Sequence, residues 1–481
     1  MGSCIALFPK KDEPYANSEI EELVATFRQS FDAPGLAVGI IKDGEILYTG
    51  ANGVQDLDSQ SPLTTRSLFH MASVSKPFVA TAVVQLVERG KIKLDDKLTE
   101  YLPYFTMADP RYEDITIRHM LSHSSGIPDE EDYEWDKPQY DEMAVERYAR
   151  SFANESLDFA PGTEYGYSNP AFDILCAVIA QASGMTFEDY MQQHIFDPIG
   201  MVNSTFYQPE VSRVLATQPH VLGKDLQREV SAVYPYNRRH AGSSTLHSNV
   251  EDMLLWAQVY LNKGEINGRR IFSESSYELL TTAQNRDQDE RRDIGLSWFL
   301  DDMVWKPIVY HQGGDLGYST FFGYLPKEKA AIVLMANIDD FWSDYAASWM
   351  LLNVGFDRAI PWERPVQYVL KNYILKEGIE KTREVYFSLK EQTPEGYDFD
   401  GSQLDGLGFW LLDRGYAQEA LDIFLFNIEL EPKDAGWVDS VGDAYVALGD
   451  KEEAIAWYQK VLGMDPDQEF TRVKLEKLLG S

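Results

Sequence analysis

Ser73-Val74-Ser75-Lys76-Pro77-Phe78-Val79-Ala80-Thr81-Ala82-Val83-Val84-Gln85-Leu86-Val87 sets a serine and a lysine three residues apart at the head of a long apolar run. On a helix, that spacing puts both side chains on one face. Pro77 fits near a helix start, where the first N–H groups have no intrahelical partner. A hydroxyl beside an amine that can take its proton, with its own N–H near a helix N-terminus, is the arrangement of an activated nucleophile. Four residues are too short a pattern to carry that assignment alone, so it depends on the rest of the chain.

Upstream, Pro34 to Ile41 and Ile46 to Tyr48 flank Lys42-Asp43-Gly44-Glu45, and Asp-Gly is a strong signal for a two-residue hairpin turn. Residues 95–200 are rich in helix and loop signals. Among them, Thr186-Phe187-Glu188-Asp189 reads as a helix start, and Gly184 as the close of the helix before it. Strand character returns over 294–300 and 307–338, with a second hairpin about Pro326-Lys327-Glu328-Lys329, and a closing helix is expected over 341–355. Strands, an inserted helical block and strands again predict an α+β domain whose sheet joins the two ends of the segment.

Past about residue 360 the texture is helix after helix, and it repeats. Gly408 and Gly442, Ala420 and Ala454, Phe424 and Tyr458, and Pro432 and Pro466 are each 34 positions apart. That period, with small residues where helices cross and proline at the end, resembles tetratricopeptide repeats. Two repeats are expected over 401–466, with a degenerate unit over 365–398 and a capping helix from Phe470 to Leu479. The expected domains are therefore 1–358, a helical linker or degenerate repeat over 359–400, and an all-α repeat domain over 401–481. Repeats of this kind present a surface for a protein partner, for self-association or for packing within the chain.

The chain has 481 residues, 44% of them hydrophobic and 13% aromatic, which is ample for sizeable cores. Its 77 acidic residues outnumber its 43 basic ones, for a net charge of −34. That balance argues against nucleic acid and anionic membrane surfaces as partners. No run reaches the roughly 18 apolar residues of a membrane span. The two cysteines, Cys4 and Cys176, do not make a disulfide framework, and Cys176, in an apolar run, reads as a small buried hydrophobe. The start, Met1-Gly2-Ser3-Cys4, lacks the basic and apolar regions of a signal peptide.

Three further stretches bear on the serine. Leu121-Ser122-His123-Ser124-Ser125-Gly126 follows a helix carrying Arg118 and His119. Tyr165-Gly166-Tyr167-Ser168-Asn169 comes next, and His311-Gln312-Gly313-Gly314 opens the late strands. Ser-x-x-Lys, then Tyr-x-Asn, then a basic residue-x-Gly on a strand, in that order, resembles the serine β-lactamase and penicillin-binding-protein superfamily over about residues 20–355. The nearest branch is the class C-like one, which also holds esterases, D-peptidases and D-aminopeptidases. The resemblance implies an antiparallel sheet with flanking helices and a helical subdomain. It also implies an extracytoplasmic place, whether periplasmic, secreted or lipid-anchored through Cys4.

Carried onto this chain, the resemblance implies that Ser73 forms an acyl-enzyme and that Lys76 takes its proton or holds the charge that lets another group do so. Tyr167 would be the partner base and then the proton donor to the leaving group. A phenol with a pKa near 10 needs nearby cations for this, and Lys76 and His311 are expected to supply them. Asn169 would orient Lys76 or the acyl group, and Gly313 would line the substrate strand. The N–H groups of Ser73 and Gly314 would form the oxyanion hole. No metal or organic cofactor is required. His119 and His123 have a metal-ligand spacing, but no glutamate follows His119, and both read as packing histidines.

Typical β-lactamases of this type carry Lys-Thr-Gly where this chain has His311-Gln312-Gly313. A histidine is charged only below about pH 6.5 when unperturbed, so the substitution points to ester hydrolysis, with D-peptidase, aminopeptidase or weak β-lactamase activity as alternatives. A penicillin-binding sensor or scaffold working through the repeats is the alternative of another class. The expected partner is a small ester, amide or peptide. The acidic run Asp129 to Asp136 reads as a solvated loop or as steering for cationic substrates. The loops over 129–160, 205–240 and 280–293 are expected to set the substrate.

Overall fold

Asp43 and Gly44 both adopt positive φ, 54° and 87°, as a tight turn between twisted strands requires. They join β1 (Gly35–Lys42) to β2 (Glu45–Gly53). The computed structural model describes residues 11, 13–130, 132–223, 227–288 and 291–480, and Cys4 lies outside them. Later in the chain come β3 (Asn285–Asp287), β4 (Arg292–Ile294), β5 (Phe299–Asp301), β6 (Ile308–Asp315), β7 (Tyr318–Leu325) and β8 (Ala330–Ala336). The eight strands form one antiparallel sheet in the order β2-β1-β8-β7-β6-β5-β4-β3. The β1–β8 pairing joins the beginning of the domain to its end. Strand character over 294–300 is split in two, because Gly295 N–H bonds the Trp298 carbonyl at 2.8 Å and turns the chain.

One set of alternate residues, Ala37, Ile41, Ala331, Val333 and Met335, joins the large core of the inserted helical block. The other set, Val38, Ile40, Ile332 and Leu334, is also fully buried, so both faces of the sheet are covered. Against it pack α1 (Asn17–Ser30), α4 (Val250–Leu261) and α5 (Ser343–Met350). Gly39 lets α4 approach: a Cβ there would lie 2.7 Å from Val250 Cγ2. In the chain between β2 and β3 lie α2 (Lys76–Glu88) and α3 (Asn169–Ser183). Every residue of α2 from Lys76 to Leu86 is buried, and Phe78 stacks on Trp256 of α4 at 3.9 Å. Thr186 caps the helix after α3, and Gly184 ends α3 at φ 76°, where glycine is the least strained residue.

The chain divides after Ile360 into two units, Met1–Ile360 and Pro361–Ser481. In the second unit, α6 (Gln367–Gln392) is broken at Gly378. It is followed by α7 (Gly401–Asp413), α8 (Ala417–Leu430), α9 (Ala435–Leu448), α10 (Lys451–Met464) and α11 (Glu469–Gly480). Val366, Leu370, Ile374 and Tyr386 share one core with α7 to α9, so the segment expected as a linker or degenerate repeat packs with the repeats.

The 34-residue spacing has a steric cause. A Cβ on Gly408 would fall 2.1 Å from the Phe424 ring, and one on Gly442 would fall 2.4 Å from the Tyr458 ring. Gly408→Ala and Gly442→Ala should each destabilise this unit by about 1–3 kcal/mol through overpacking, despite alanine's better helix propensity. Hydrogen exchange should show lost protection in α7 to α10 and none in β6 to β8.

Candidate active site

Ser73 lies on a short 3₁₀ turn, Ala72–Ser75, that leads directly into α2. Ala72 enters the turn with φ 49°, a left-handed conformation that costs a non-glycine residue about 1–2 kcal/mol. Its neighbour Met71 holds it there. Met71 N–H bonds the Leu246 carbonyl at 2.7 Å, and the Met71 carbonyl accepts from Thr320 Oγ1 at 2.8 Å. The turn that carries Ser73 is thus clamped between a loop and β7.

Lys76, at the first position of α2, is fully buried. Its ammonium donates to Ser73 Oγ at 2.8 Å, Asn169 Oδ1 at 2.5 Å and the Ser243 carbonyl at 3.0 Å. Three donors meet three acceptors. Burial pulls its pKa down to about 8, against the charges of Asp173, Asp129 and Asp315.

Tyr167 OH donates to Ser73 Oγ at 3.0 Å, and its ring stacks on His123 at 4.4 Å. The expectation that cations pull this phenol down is overturned. Loss of solvent raises its pKa well above the ordinary value, and the charges of Asp129 and Asp315 add to the rise. His311 supplies no compensating charge: burial, then the Lys76 charge, holds its own pKa well below the usual imidazole range. Asn169 opens α3, where Ser168 caps the helix. Asp129 accepts from Asn169 N–H at 2.8 Å and from Nδ2 at 3.1 and 3.2 Å, which leaves Oδ1 for Lys76. The first residue of the acidic run is therefore a ligand of the site rather than merely a solvated charge.

His311 sits on β6, with Nδ1–H donated to the Gln312 carbonyl at 2.7 Å and its ring on Phe299 at 4.6 Å. Its buried Nε2 has no partner among the described residues. Gly313 presses on the Ser73 turn: a Cβ would lie 2.5 Å from the Met71 carbonyl and 3.0 Å from Ser73 N. Gly314 instead faces a cavity of about 450 Å³, lined with Ser73, Tyr165, Tyr167, Asp287, Arg292, Phe299, His311 and Gln312. Arg292 lies 4.0 Å over the Phe299 ring, pairs with Asp287 at 3.2 Å and donates to Tyr310 OH at 3.3 Å.

Arg292 was not singled out from sequence. It falls in the 280–293 loop region, where no motif distinguishes one arginine from another. His123, adjacent to Tyr167, was legible only as a packing histidine. It accepts the Ser168 N–H at 3.1 Å, whereas His119 Nδ1 accepts the Thr116 N–H at 3.3 Å.

A sheet flanked by helices, with a serine, a lysine and a tyrosine meeting at the start of a buried helix, defines the class of serine hydrolases related to penicillin-binding proteins. A β-lactamase family model matches residues 20–354, and the chain belongs to that family. A tetratricopeptide-repeat model matches residues 440–468. Among curated relatives, Penicillin-binding protein 4* of Bacillus subtilis strain 168 is 31% identical over 317 residues, 62% of this chain and 67% of that protein. Protein flp of Staphylococcus aureus strain MW2 is 24% identical over 327 residues, 67% of this chain and 64% of that protein. The chain thus spans about two thirds of the length of these relatives. The solved octameric penicillin-binding protein homologue from Pyrococcus abyssi shares the fold, with a TM-score of 0.63 and 24% identity over 75% of this chain and 81% of that one. No single helix among the described residues is long and apolar enough to cross a membrane.

Gly313→Ala tests the contact between β6 and the Ser73 turn. The added methyl meets backbone, so the strand must withdraw from Ser73. We expect about 1–3 kcal/mol of destabilisation in thermal denaturation, and a loss of reactivity at Ser73 larger than the unfolded fraction accounts for.

Proposed function

We propose that this protein is a serine esterase that works through an acyl-enzyme on Ser73. The observation that carries this reading is the hydrogen bonding of one oxygen, Ser73 Oγ, to both Lys76 and Tyr167. As an ammonium, Lys76 satisfies three acceptors. As a neutral amine it keeps two donors for Asn169 and Ser243 and turns its lone pair to the Ser73 hydroxyl. Proton transfer therefore needs no movement of heavy atoms, which favours Lys76 as the base.

Ser73 Oγ attacks the ester carbonyl carbon while its proton passes to Lys76. The carbonyl electrons move onto oxygen, where the N–H groups of Ser73 and Gly314 serve as the oxyanion hole. As the carbon–oxygen bond breaks, the leaving alkoxide takes the Tyr167 proton, and Lys76 restores it. Water then repeats the sequence in reverse to release the acid. A phenol whose pKa is raised holds its proton at rest, which leaves the role of resting base to Lys76.

The neutral His311 on Phe299, beside Tyr165 and Tyr167, favours an uncharged acyl group. One observation favours a second reading: Arg292 on the cavity wall would draw a substrate carboxylate, as in a peptide, against the competing Asp287. Turnover of p-nitrophenyl butyrate, nitrocefin and D-Ala peptides separates the two. Ester turnover, with a Ser73 adduct by intact mass that Ser73→Ala abolishes, is the expected result. Nitrocefin or peptide turnover without ester turnover overturns the esterase reading.

The pH dependence follows from Lys76. The reactive form is the neutral amine, so the single-turnover acylation rate should rise about tenfold per pH unit below a midpoint near 8 and level off above it. Tyr167→Phe should keep that midpoint while lowering the rate about 10²–10⁴-fold.

A further inference from the structure

Behind Lys76 lies a buried polar chain that the proposed reaction does not use. Asp173 stands four residues after Asn169 on α3, on the same helix face, and its side chain is fully buried. Its Oδ1 accepts the Ser243 N–H at 2.8 Å, and Ser243 is the residue whose carbonyl accepts from Lys76. Its Oδ2 meets His240 Nδ1 at 2.9 Å. His240 Nε2 in turn receives the Arg239 Nε–H at 2.8 Å.

A guanidinium N–H only donates, so His240 Nε2 accepts from Arg239 and Nδ1 is left to face Asp173. Arg239 itself pairs with Glu134 rather than with Asp173. The loop reaches α3 through Gly242, where a Cβ would sit 2.1 Å from the Phe172 carbonyl.

We propose that Asp173 is the positioning residue of Lys76: it orients the Ser243 carbonyl onto the ammonium and is its buried counter-charge, locked in place by His240. The other ionisable groups around Lys76 serve it less well. Asp129 is on an exposed segment and is taken up by Asn169. Asp315, from β6, meets His70 at 2.7 Å and accepts from Ser244 Oγ at 2.8 Å, so neither contact reaches one of the three groups that accept from Lys76. His123 and His311 are buried with lowered pKa values. Tyr167 stays protonated, and Arg292 pairs with Asp287.

This inference builds on Lys76 as the base of the proposed reaction, but its test does not need turnover. In protein labelled at the lysine Cε and Nζ, the Lys76 signal, assigned by its loss in Lys76→Met, is titrated by NMR. Asp173→Asn should lower the Lys76 midpoint by about one pH unit or more, and Asp173→Glu should restore it. The acylation midpoint should move by the same amount wherever turnover is observed. An unchanged Lys76 midpoint in Asp173→Asn overturns the proposal. A shifted midpoint in a protein that forms no Ser73 adduct leaves the proposal standing and removes the esterase reading. If Asp173→Asn does not fold, the reciprocal experiment decides: in Lys76→Met the Asp173 carboxyl carbon should titrate at higher pH than in the wild type, and an unchanged value overturns the proposal.

Discussion

A lysine ammonium with no access to water is the constraint around which the first unit is built. Burying an isolated charge costs several kcal/mol even after relaxation, and the chain meets that cost only where three acceptors converge on one point. Ser73 Oγ arrives from the turn before α2, Asn169 Oδ1 from the start of α3, and the Ser243 carbonyl from a loop 167 residues further on than Lys76. Each acceptor is held by a neighbour in turn: Asp129 grips the Asn169 amide, Asp173 the Ser243 N–H, and Gly313 of β6 lies against Ser73 N. Sheet, helical block and loop are thus required at once by a single side chain.

The same burial sorts the ionisable groups. It lowers Lys76 to about 8, takes His311 and His123 out of the charged range, and lifts Tyr167. The Lys76 cation at the centre is drawn towards neutral pH, beside a phenol that holds its proton. The cavity wall is a different environment, where the Arg292–Asp287 pair presents both signs of charge at the edge of an otherwise neutral aromatic surface.

Several elements were legible because their signals are local. The Asp43-Gly44 turn, the apolar run of α2, the Thr186 cap and the 34-residue repeat each depend on contacts within a few tens of residues. The repeat glycines were visible as a period, and the Phe424 and Tyr458 rings over them supply its reason. The order of the three motifs sufficed to bring Ser73, Lys76, Tyr167, Asn169 and His311 into one reading. Arg292 was illegible because its meaning lies in what it faces, and β3 to β5 are short strands with weak patterning. The acidic run was legible as a loop, but not that Asp129, at its start, bonds a residue 40 positions away.

Sequence by itself determined the Ser73 turn, the helix beneath it, the two hairpins and the repeating period. These follow from side-chain spacing and backbone preference, which act over short distances. Tertiary structure alone decided the electrostatics of the site: that Tyr167 is raised rather than lowered, that His311 is pushed below the usual imidazole range, and that Asp173, Asp129 and Asp315 are the carboxylates that face Lys76. The physical reason is that desolvation and charge pairing depend on which distant segments close over a group, and no local pattern encodes that.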